Sequence, residues 1–362
     1  MAKIFSTGWE SNDLGLIIPE GSYTSRTQVV DNDHILSADP YSAPIEHGNY
    51  ALKMRGGAYG RLEFSDFGGG PLRKFGIRFR FQTTRSRNQT TILSIMTSTA
   101  YADQLMYVNS QGEYWNYIDG GEDFLWMPFE SRKWYLFDLF VHISTRNSVS
   151  DGSLQLKING ETVIDKQNVA TSRSSTENKT VNMIRFWGPA TSSDTDIFCL
   201  YDDLVIYDDS TAEIVNITDA YTIRGEPTSG GLSNFWLPGG DGTGVVDCVS
   251  GIGDTAVVDT SYIVAKGVGG EQTYPLIMDE TGITSVESIS VLTRARKVGD
   301  ASAYKSVPLI RNTNGSSEGT PEDLTTSFDS NDYYIWEENS IEGREWEAGD
   351  LDTINIGVKA DE

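Results

Sequence analysis

The stretch Trp134–Ile143 (WYLFDLFVHI) constrains the fold more than any other part of the chain. Nearly all of its residues are aromatic or branched, which is typical of a strand that is covered on both faces. After a polar loop the chain continues as Leu154–Asp165, which alternates apolar and polar residues. This second piece turns at Asn159-Gly160, a dipeptide that readily adopts two positive φ angles and closes a type I′ hairpin. The pattern predicts the middle of an antiparallel β-sandwich.

Other segments carry the same two-residue period. Lys74–Thr83 (KFGIRFRFQT) alternates most clearly, with aromatic and aliphatic residues on one side and Arg78 and Arg80 on the other. Clusters of Gly, Ser, Thr, Asn and Asp recur between such segments, as in all-β proteins with many turns. No window has the pattern of an amphipathic helix, and none is apolar for long enough to cross a bilayer. We therefore expect an all-β protein with no membrane insertion.

The length of 362 residues allows two domains, each with an ordinary core. The polar stretch Asp208–Thr222 interrupts the strand pattern. We place the boundary there, with an N-terminal antiparallel β-sandwich over residues 1–215 and a second, smaller β-sandwich over residues 216–362.

The formal net charge is −24, and it is unevenly distributed along the chain. Residues 1–215 contribute −8, and the shorter remainder contributes −16. Binding to nucleic acid needs clustered Lys and Arg for phosphate contacts, so this charge balance argues against a nucleic-acid partner.

The order of elements in the first domain resembles the concanavalin A-like jelly roll, including laminin-G-like modules. The segments that carry this resemblance are Asn49–Lys53, Trp134–Val141, Asn159-Gly160 and Asp202–Asp208. The resemblance implies a jelly-roll fold. It says little about activity, because this fold hosts lectins, hydrolases and structural modules alike.

The second half resembles domains found in structural proteins of tailed bacteriophages. The matching pieces, in the same order, are Leu237–Gly242, Ile289–Arg296 and Trp346–Val358. This resemblance implies a non-enzymatic virion component with other virion proteins as partners. Symmetric copies, as a trimer or ring, are expected because virion sites are symmetric. A tail-associated position (fibre, tip or baseplate) with contact to a host surface glycan is our first expectation. A capsid decoration protein is the alternative, and a lectin or glycoside hydrolase is a further one.

Glycoside hydrolysis requires two carboxylates that face one cleft, and we find no pattern that provides them. Asp138 stands alone in its strand, while Asp202 and Asp203 are adjacent and are expected on opposite faces. The histidines His34, His47 and His142 are not part of a nucleophilic motif. We therefore predict no catalytic residues.

Calcium is the one cofactor for which the sequence offers a candidate site, since Asp side chains in loops suit a hard cation. The candidate ligands are Asp194, Asp196, Asp202 and Asp203. A solvated acidic loop is the alternative interpretation.

A segment rich in aromatic residues is the candidate contact site for a carbohydrate or a protein partner. Its aromatic residues alternate with Asn and Asp, and sugar rings present apolar faces to such side chains. The alternative is that they fill the sandwich core or a subunit contact. The residues are Tyr114, Trp115, Tyr117, Phe124 and Trp126.

The two cysteines, Cys199 and Cys248, lie in different predicted domains, so a disulfide framework does not stabilise this chain. Cys199 lies in an apolar run, which predicts a buried thiol.

Overall fold

The fold is described from a computed structural model of the chain. The residues it describes are 2–7, 17–20, 26–31, 45, 50–64, 71–83, 90–97, 104–111, 114–118, 123–128, 130, 132–146, 149–172, 180–189, 198–208, 226–227, 236–240, 261–265, 268–277, 283, 285–286, 288–297, 304–326 and 330–362. In these ranges the regular structure is β-strand apart from short 3-10 segments. The described segments include no helix with the length and hydropathy required to cross a bilayer.

The chain divides into two compact units, Met1–Thr222 and Ile223–Glu362. The boundary expected from the sequence, between residues 215 and 216, falls in residues 209–225, which lie outside the described part of the chain.

The first unit contains two antiparallel sheets, and its strands are numbered in chain order. Sheet A has eight strands. From one edge to the other these are β13 (Glu161–Val169), β12 (Gly152–Ile158), β11 (Tyr135–His142), β6 (Lys74–Thr83), β15 (Phe198–Asp208), β4 (Tyr50–Arg55) and β3 (Thr27–Asp31), and β1 (Ala2–Thr7) also pairs with β15.

Sheet B has seven strands. Their order is β10 (Asp123–Pro128), β9 (Tyr114–Ile118), β8 (Gln104–Gln111), β7 (Thr90–Met96), β14 (Met183–Trp187), β5 (Tyr59–Glu63) and β2 (Ile18–Glu20).

Aromatic side chains from the two sheets meet and form the core between them. Phe79 and Phe137 of sheet A stack with ring centroids 5.1 Å apart, and Phe186 of sheet B packs edge-on against Tyr201 of sheet A at 5.1 Å. The Tyr201 hydroxyl crosses to sheet B, where it lies 2.6 Å from the carbonyl oxygen of Trp187. The first unit is therefore a two-layer antiparallel sandwich, and the predicted all-β, jelly-roll class is confirmed.

The central strands of sheet A are buried on both faces, as the composition of Trp134–Ile143 predicts. Every residue of β6 after Lys74 is buried, including Arg78 and Arg80. All of β11 is buried except His142, which is half-buried. Polar residues on the side of these strands that faces away from sheet B must therefore find partners within the protein.

The hairpin expected at Asn159-Gly160 joins β12 and β13, with φ angles of 52° and 79° at the two turn residues. Both angles are positive, as a type I′ turn requires. The Asn159 side-chain oxygen also accepts a hydrogen bond from the backbone N–H of Leu136 at 2.8 Å. This hydrogen bond links the turn to β11, which pairs with β12 on the side opposite β13.

The second unit contains a six-stranded sheet, sheet C, and two separate strand pairs. Sheet C has the order β16 (Glu226–Pro227), β19 (Glu271–Ile277), β25 (Asn355–Asp361), β21 (Lys305–Asn312) and β22 (Gly315–Glu318), with β23 (Glu322–Asp323) also paired to β21. The strand pairs are β17 (Trp236–Gly240) with β18 (Ser261–Ala265), and β20 (Ile289–Ala295) with β24 (Ser330–Trp336).

The pair β20–β24 packs against sheet C and gives the second unit two layers. The core between them contains Ile289, Val291, Ile310, Trp336, Trp346, Leu351 and Ile354. A short 3-10 segment, Ala348–Asp350, lies within the motif Trp346–Val358. It lies between two of these core residues, Trp346 and Leu351, and leads into β25.

Candidate functional site

The predicted aromatic contact site lies on two adjacent strands at one edge of sheet B. Tyr114, Trp115 and Tyr117 are in β9, while Phe124 and Trp126 are in β10. Backbone register places Phe124 opposite Tyr117, and a bulge interrupts the pairing between Leu125 and Pro128. The side chains of these residues lie outside what the structure describes, so their proposed role stays a prediction.

Of the predicted calcium ligands, Asp202 and Asp203 lie in β15, whereas Asp194 and Asp196 are outside the described residues. Asp203 has a positive φ of 48°, and the register of β15 with β6 shifts between Asp202 and Val205. Asp202 is paired with Arg80 in this register, and the Asp203 carboxylate accepts a hydrogen bond from the same arginine at 3.0 Å. The expectation that the two acids lie on opposite faces is therefore wrong, because a β-bulge breaks the alternation on which it depends.

The positive charge of Arg80 already balances the Asp203 carboxylate in sheet A. The side chains of Arg80 and Asp203 are only 9% and 2% exposed, so the pair is enclosed. Within the described ranges, no three His, Cys, Asp or Glu side chains form a group that could hold a metal ion. The calcium site remains a prediction, since half of its candidate ligands are not described.

Asp138, considered in the sequence as a lone carboxylate, forms a buried ion pair with Arg78 on the neighbouring strand. Two bonds join the groups, Nε to Oδ1 at 2.6 Å and Nη2 to Oδ2 at 3.1 Å. The side chains are 2% and 5% exposed, and the two residues face each other in register between β6 and β11. This fork geometry occupies both carboxylate oxygens and gives Asp138 a structural role.

The histidines are not brought together by any described contact. His142 is half-buried at the end of β11, while His34 and His47 lie outside the described residues. The absence of catalytic residues stays a prediction.

A second aromatic group, which sequence reasoning did not single out, lies on β5 and β14 of sheet B. The rings of Tyr59 and Trp187 are 4.9 Å apart and inclined at 34°. The Arg185 guanidinium carbon lies 5.0 Å from the centroid of Tyr59 and 5.5 Å from that of Trp187. Glu20 of β2 forms ion pairs with Arg185 and Arg61, and Glu63 of β5 also pairs with Arg61. We call this group the Trp187 cluster, consisting of Glu20, Tyr59, Arg61, Glu63, Arg185 and Trp187.

The sequence does carry a signal for this group, but only within each strand. In β5 the residues Tyr59, Arg61 and Glu63 are half-buried and alternate with fully buried ones. In β14 the residues Arg185 and Trp187 alternate with the core residue Phe186. That these two strands are neighbours follows only from the tertiary structure, because more than a hundred residues separate them in the chain.

No protein-family model and no curated protein matches the chain. Several solved structures are similar to it. An endo-β-1,4-glucuronan lyase from the fungus Trichoderma reesei is 14% identical with a TM-score of 0.40, covering 57% of this chain and 95% of the lyase. An alginate lyase is 13% identical with a TM-score of 0.36, covering 57% and 98% of the two chains.

Domain 4 of an extracellular GH43 arabinanase from Geobacillus stearothermophilus is 12% identical with a TM-score of 0.35, covering 57% of this chain and 92% of that domain. These similar structures come from carbohydrate-active enzymes, but similarity at this level gives no information about activity.

Proposed function

We propose that this protein is a non-enzymatic structural component of a tailed-phage virion, associated with the tail as a fibre, tip or baseplate protein. Other virion proteins would be its partners, and it would be present in symmetric copies as a trimer or ring. The resemblance of the second half to phage structural proteins is the basis of the proposal.

One structural observation carries the proposal furthest. Two of the three phage-like motifs, Ile289–Arg296 and Trp346–Val358, meet in a single core although about fifty residues separate them. Ile289 and Val291 from the first motif pack with Trp346, Leu351 and Ile354 from the second. The motif residues thus build a packed β-domain, which supports a resemblance of architecture rather than of catalytic chemistry.

The ionisable groups of the sandwich also support a structural role. Asp138 is bound to Arg78, Asp203 to Arg80, and Glu20 to both Arg61 and Arg185. Each of these three carboxylates is held by at least one arginine, which is typical of structural ion pairs. Asp138, Asp203 and Glu20 therefore link neighbouring strands of the sheets.

The experiment is immunolabelling of purified phage particles with antibodies raised against each unit, together with mass spectrometry of the same particles. Label on the tail is the expected result. Label distributed over the head would replace the proposed position with capsid decoration. Absence of the protein from particles that are otherwise complete would overturn the virion assignment.

A second assay tests the non-enzymatic part of the proposal. The full chain is incubated with neutral and uronic-acid polysaccharides, and new reducing ends and unsaturated uronates are measured. No product above the buffer control is expected. Sustained turnover that is abolished by substitution of a single acidic residue would contradict the proposal.

A further inference from the structure

The Trp187 cluster lies on the outer side of sheet B. Phe186 packs against Phe79 and Tyr201 across the sandwich core, so its neighbours Arg185 and Trp187 are on the opposite side of the sheet. Register pairs Arg185 with Arg61 and Trp187 with Tyr59, which places all four residues on this outer side. The cluster thus lies on the side of sheet B that faces away from the sandwich core.

Charges in the cluster are balanced and fixed by mutual contacts. Glu20 accepts hydrogen bonds from Arg185 at 3.0 Å and from Arg61, and Glu63 also binds Arg61. Two guanidinium groups and two carboxylates therefore balance one another within the cluster, on a chain whose formal charge is −24. Of these four groups, the Arg185 guanidinium lies against both aromatic rings.

Tyr59 and Trp187 are held in place by contacts and are only half-buried. The Trp187 indole N–H donates to the Ser94 hydroxyl at 2.8 Å, and Ser94 is fully buried. The Arg185 side chain is only 5% exposed. It forms an ion pair with Glu20 and also packs on both rings. Tyr59 and Trp187 are half-buried, so each residue retains some solvent-exposed surface. Such preorganisation lowers the entropy cost of binding.

We propose that the Trp187 cluster is a binding site for a neutral, pyranose-containing glycan. The apolar C–H face of a sugar ring would pack on Trp187 and Tyr59, while arginine N–H groups and glutamate oxygens would bond to hydroxyls at the ring edge. The balanced charge favours an uncharged polyhydroxyl ligand over a polyanion. The inference rests on the proposed function only for the source of the glycan, which would be the surface of the host cell.

The experiment measures binding of the full wild-type chain to a printed array of bacterial surface polysaccharides, followed by titration of the best neutral glycan. The variant Trp187→Ala is expected to weaken binding by about tenfold or more, and Tyr59→Ala to weaken it less. Trp187→Phe keeps an aromatic surface but loses the bond to Ser94, so it should retain most of the affinity.

Tyr304→Ala is the matched control, since Tyr304 is an exposed aromatic residue of the second unit that belongs to neither candidate site. It should leave the affinity unchanged. If Trp115→Ala abolishes binding and Trp187→Ala does not, the site lies in β9 and β10 and the inference is wrong. A wild-type chain that binds none of the neutral glycans would also overturn it.

A readout on the wild-type chain guards against a variant that fails to fold. The indole N–H resonance of Trp187 is assigned from its disappearance in Trp187→Phe. Addition of the neutral glycan should shift this resonance, and a spectrum in which it does not move would contradict the inference. Labelling of phage particles tests the virion assignment independently, so the two proposals can fail separately.

Discussion

At the scale of single residues, the charged side chains buried in sheet A need partners most, because an unpaired buried charge is strongly destabilising. Arg78 and Asp138 are almost completely enclosed between neighbouring side chains and bind each other through two hydrogen bonds. Removing one partner of such a pair leaves an uncompensated charge in the interior, whereas removing both leaves none. The pair should therefore behave as a unit.

Asp138→Ala is expected to destabilise the first unit by about 3–5 kcal/mol, because Arg78 loses the carboxylate that balances it. The double variant Arg78→Met with Asp138→Leu should be clearly more stable than Asp138→Ala alone. Urea unfolding followed by fluorescence measures both. Lys133→Ala serves as the control, because the Lys133–Glu130 pair is exposed and its removal should not shift the transition. Equal effects of Asp138→Ala and Lys133→Ala would contradict this account.

Cys199 is a second residue whose chemistry follows from burial. It is fully enclosed in β15, and burial raises the pKa of its thiol to about 12. The thiolate, which is the reactive form, is therefore scarce at neutral pH. In a Cys248→Ser background, Cys199 should not react with a disulfide reagent until urea unfolds the first unit. Rapid modification of the native chain would show that this thiol is accessible.

At the scale of elements, β25 depends on close approach to its neighbour β19. A Cβ atom at Gly357 would overlap the carbonyl oxygen of Gln272 and lie 2.7 Å from the Cα of Thr273. Both atoms belong to the backbone, so neither can move aside without disturbing the pairing of the two strands. Only glycine, which has no Cβ atom, fits at this position.

Gly357→Ala should strongly destabilise the second unit and leave the first unit unchanged. Gly349→Ala is the matched control, because a Cβ atom there meets nothing within 4 Å. Calorimetry of the full chain measures the two variants against wild type. A Gly357→Ala chain that unfolds like wild type would show that β19 and β25 tolerate the added methyl group.

An ion pair between Asp350 and Arg344 stabilises the 3-10 segment Ala348–Asp350. Both carboxylate oxygens of Asp350 bind the Arg344 guanidinium, at 2.6 and 2.9 Å, and one also accepts the backbone N–H of Glu347 at 2.9 Å. The Arg344 contact lowers the pKa of Asp350 below its ordinary value. Folding therefore favours the charged carboxylate.

The stability that Asp350 contributes should be present above the ordinary carboxyl pKa of about 4 and lost as the pH falls through its lowered pKa. The difference in Tm of the second unit between wild type and Asp350→Asn is thus expected to be largest near neutral pH and to shrink in acid. Asp352→Asn, at an exposed neighbouring acid, is the control and should leave the Tm of the second unit at neutral pH unchanged. A difference that stays constant with pH would contradict the assignment.

At the scale of the whole molecule, much of the fold could be predicted from sequence. Strong alternation located β6 and β11, and the Asn159-Gly160 dipeptide located the hairpin, because these signals depend on neighbouring residues only. The position of Asp203 could not be predicted in this way. Its φ of 48° and the bulge beside it depend on the pairing of β15 with β6, which are more than a hundred residues apart.

The candidate sites were harder to predict for the same reason. The aromatic residues of β9 and β10 are close in sequence, so they form a visible cluster. Tyr59 and Trp187 are far apart in the chain and come together only because β5 and β14 are adjacent in sheet B. A single sequence shows that these aromatic residues are present, but not that their two strands are neighbours in the sheet.

The position of β25 within sheet C also predicts how a shortened chain should unfold. This strand lies between β19 and β21, although it follows every other strand of sheet C in sequence. A chain shortened to end at Ile354 should keep the thermal transition of the first unit and lose that of the second. Retention of both transitions would show that the other strands of sheet C form a stable domain alone.

Synthesis on the ribosome gives this strand order a further consequence. The sandwich can close as soon as β15 emerges, because β1, β4 and β6, with which it pairs, have already been made. Sheet C must instead wait, with β19 and β21 both presenting open edges, until β25 leaves the exit tunnel. Nascent chains of neighbouring copies could pair along those edges. The interval before β25 emerges is therefore when a chaperone would protect this protein most.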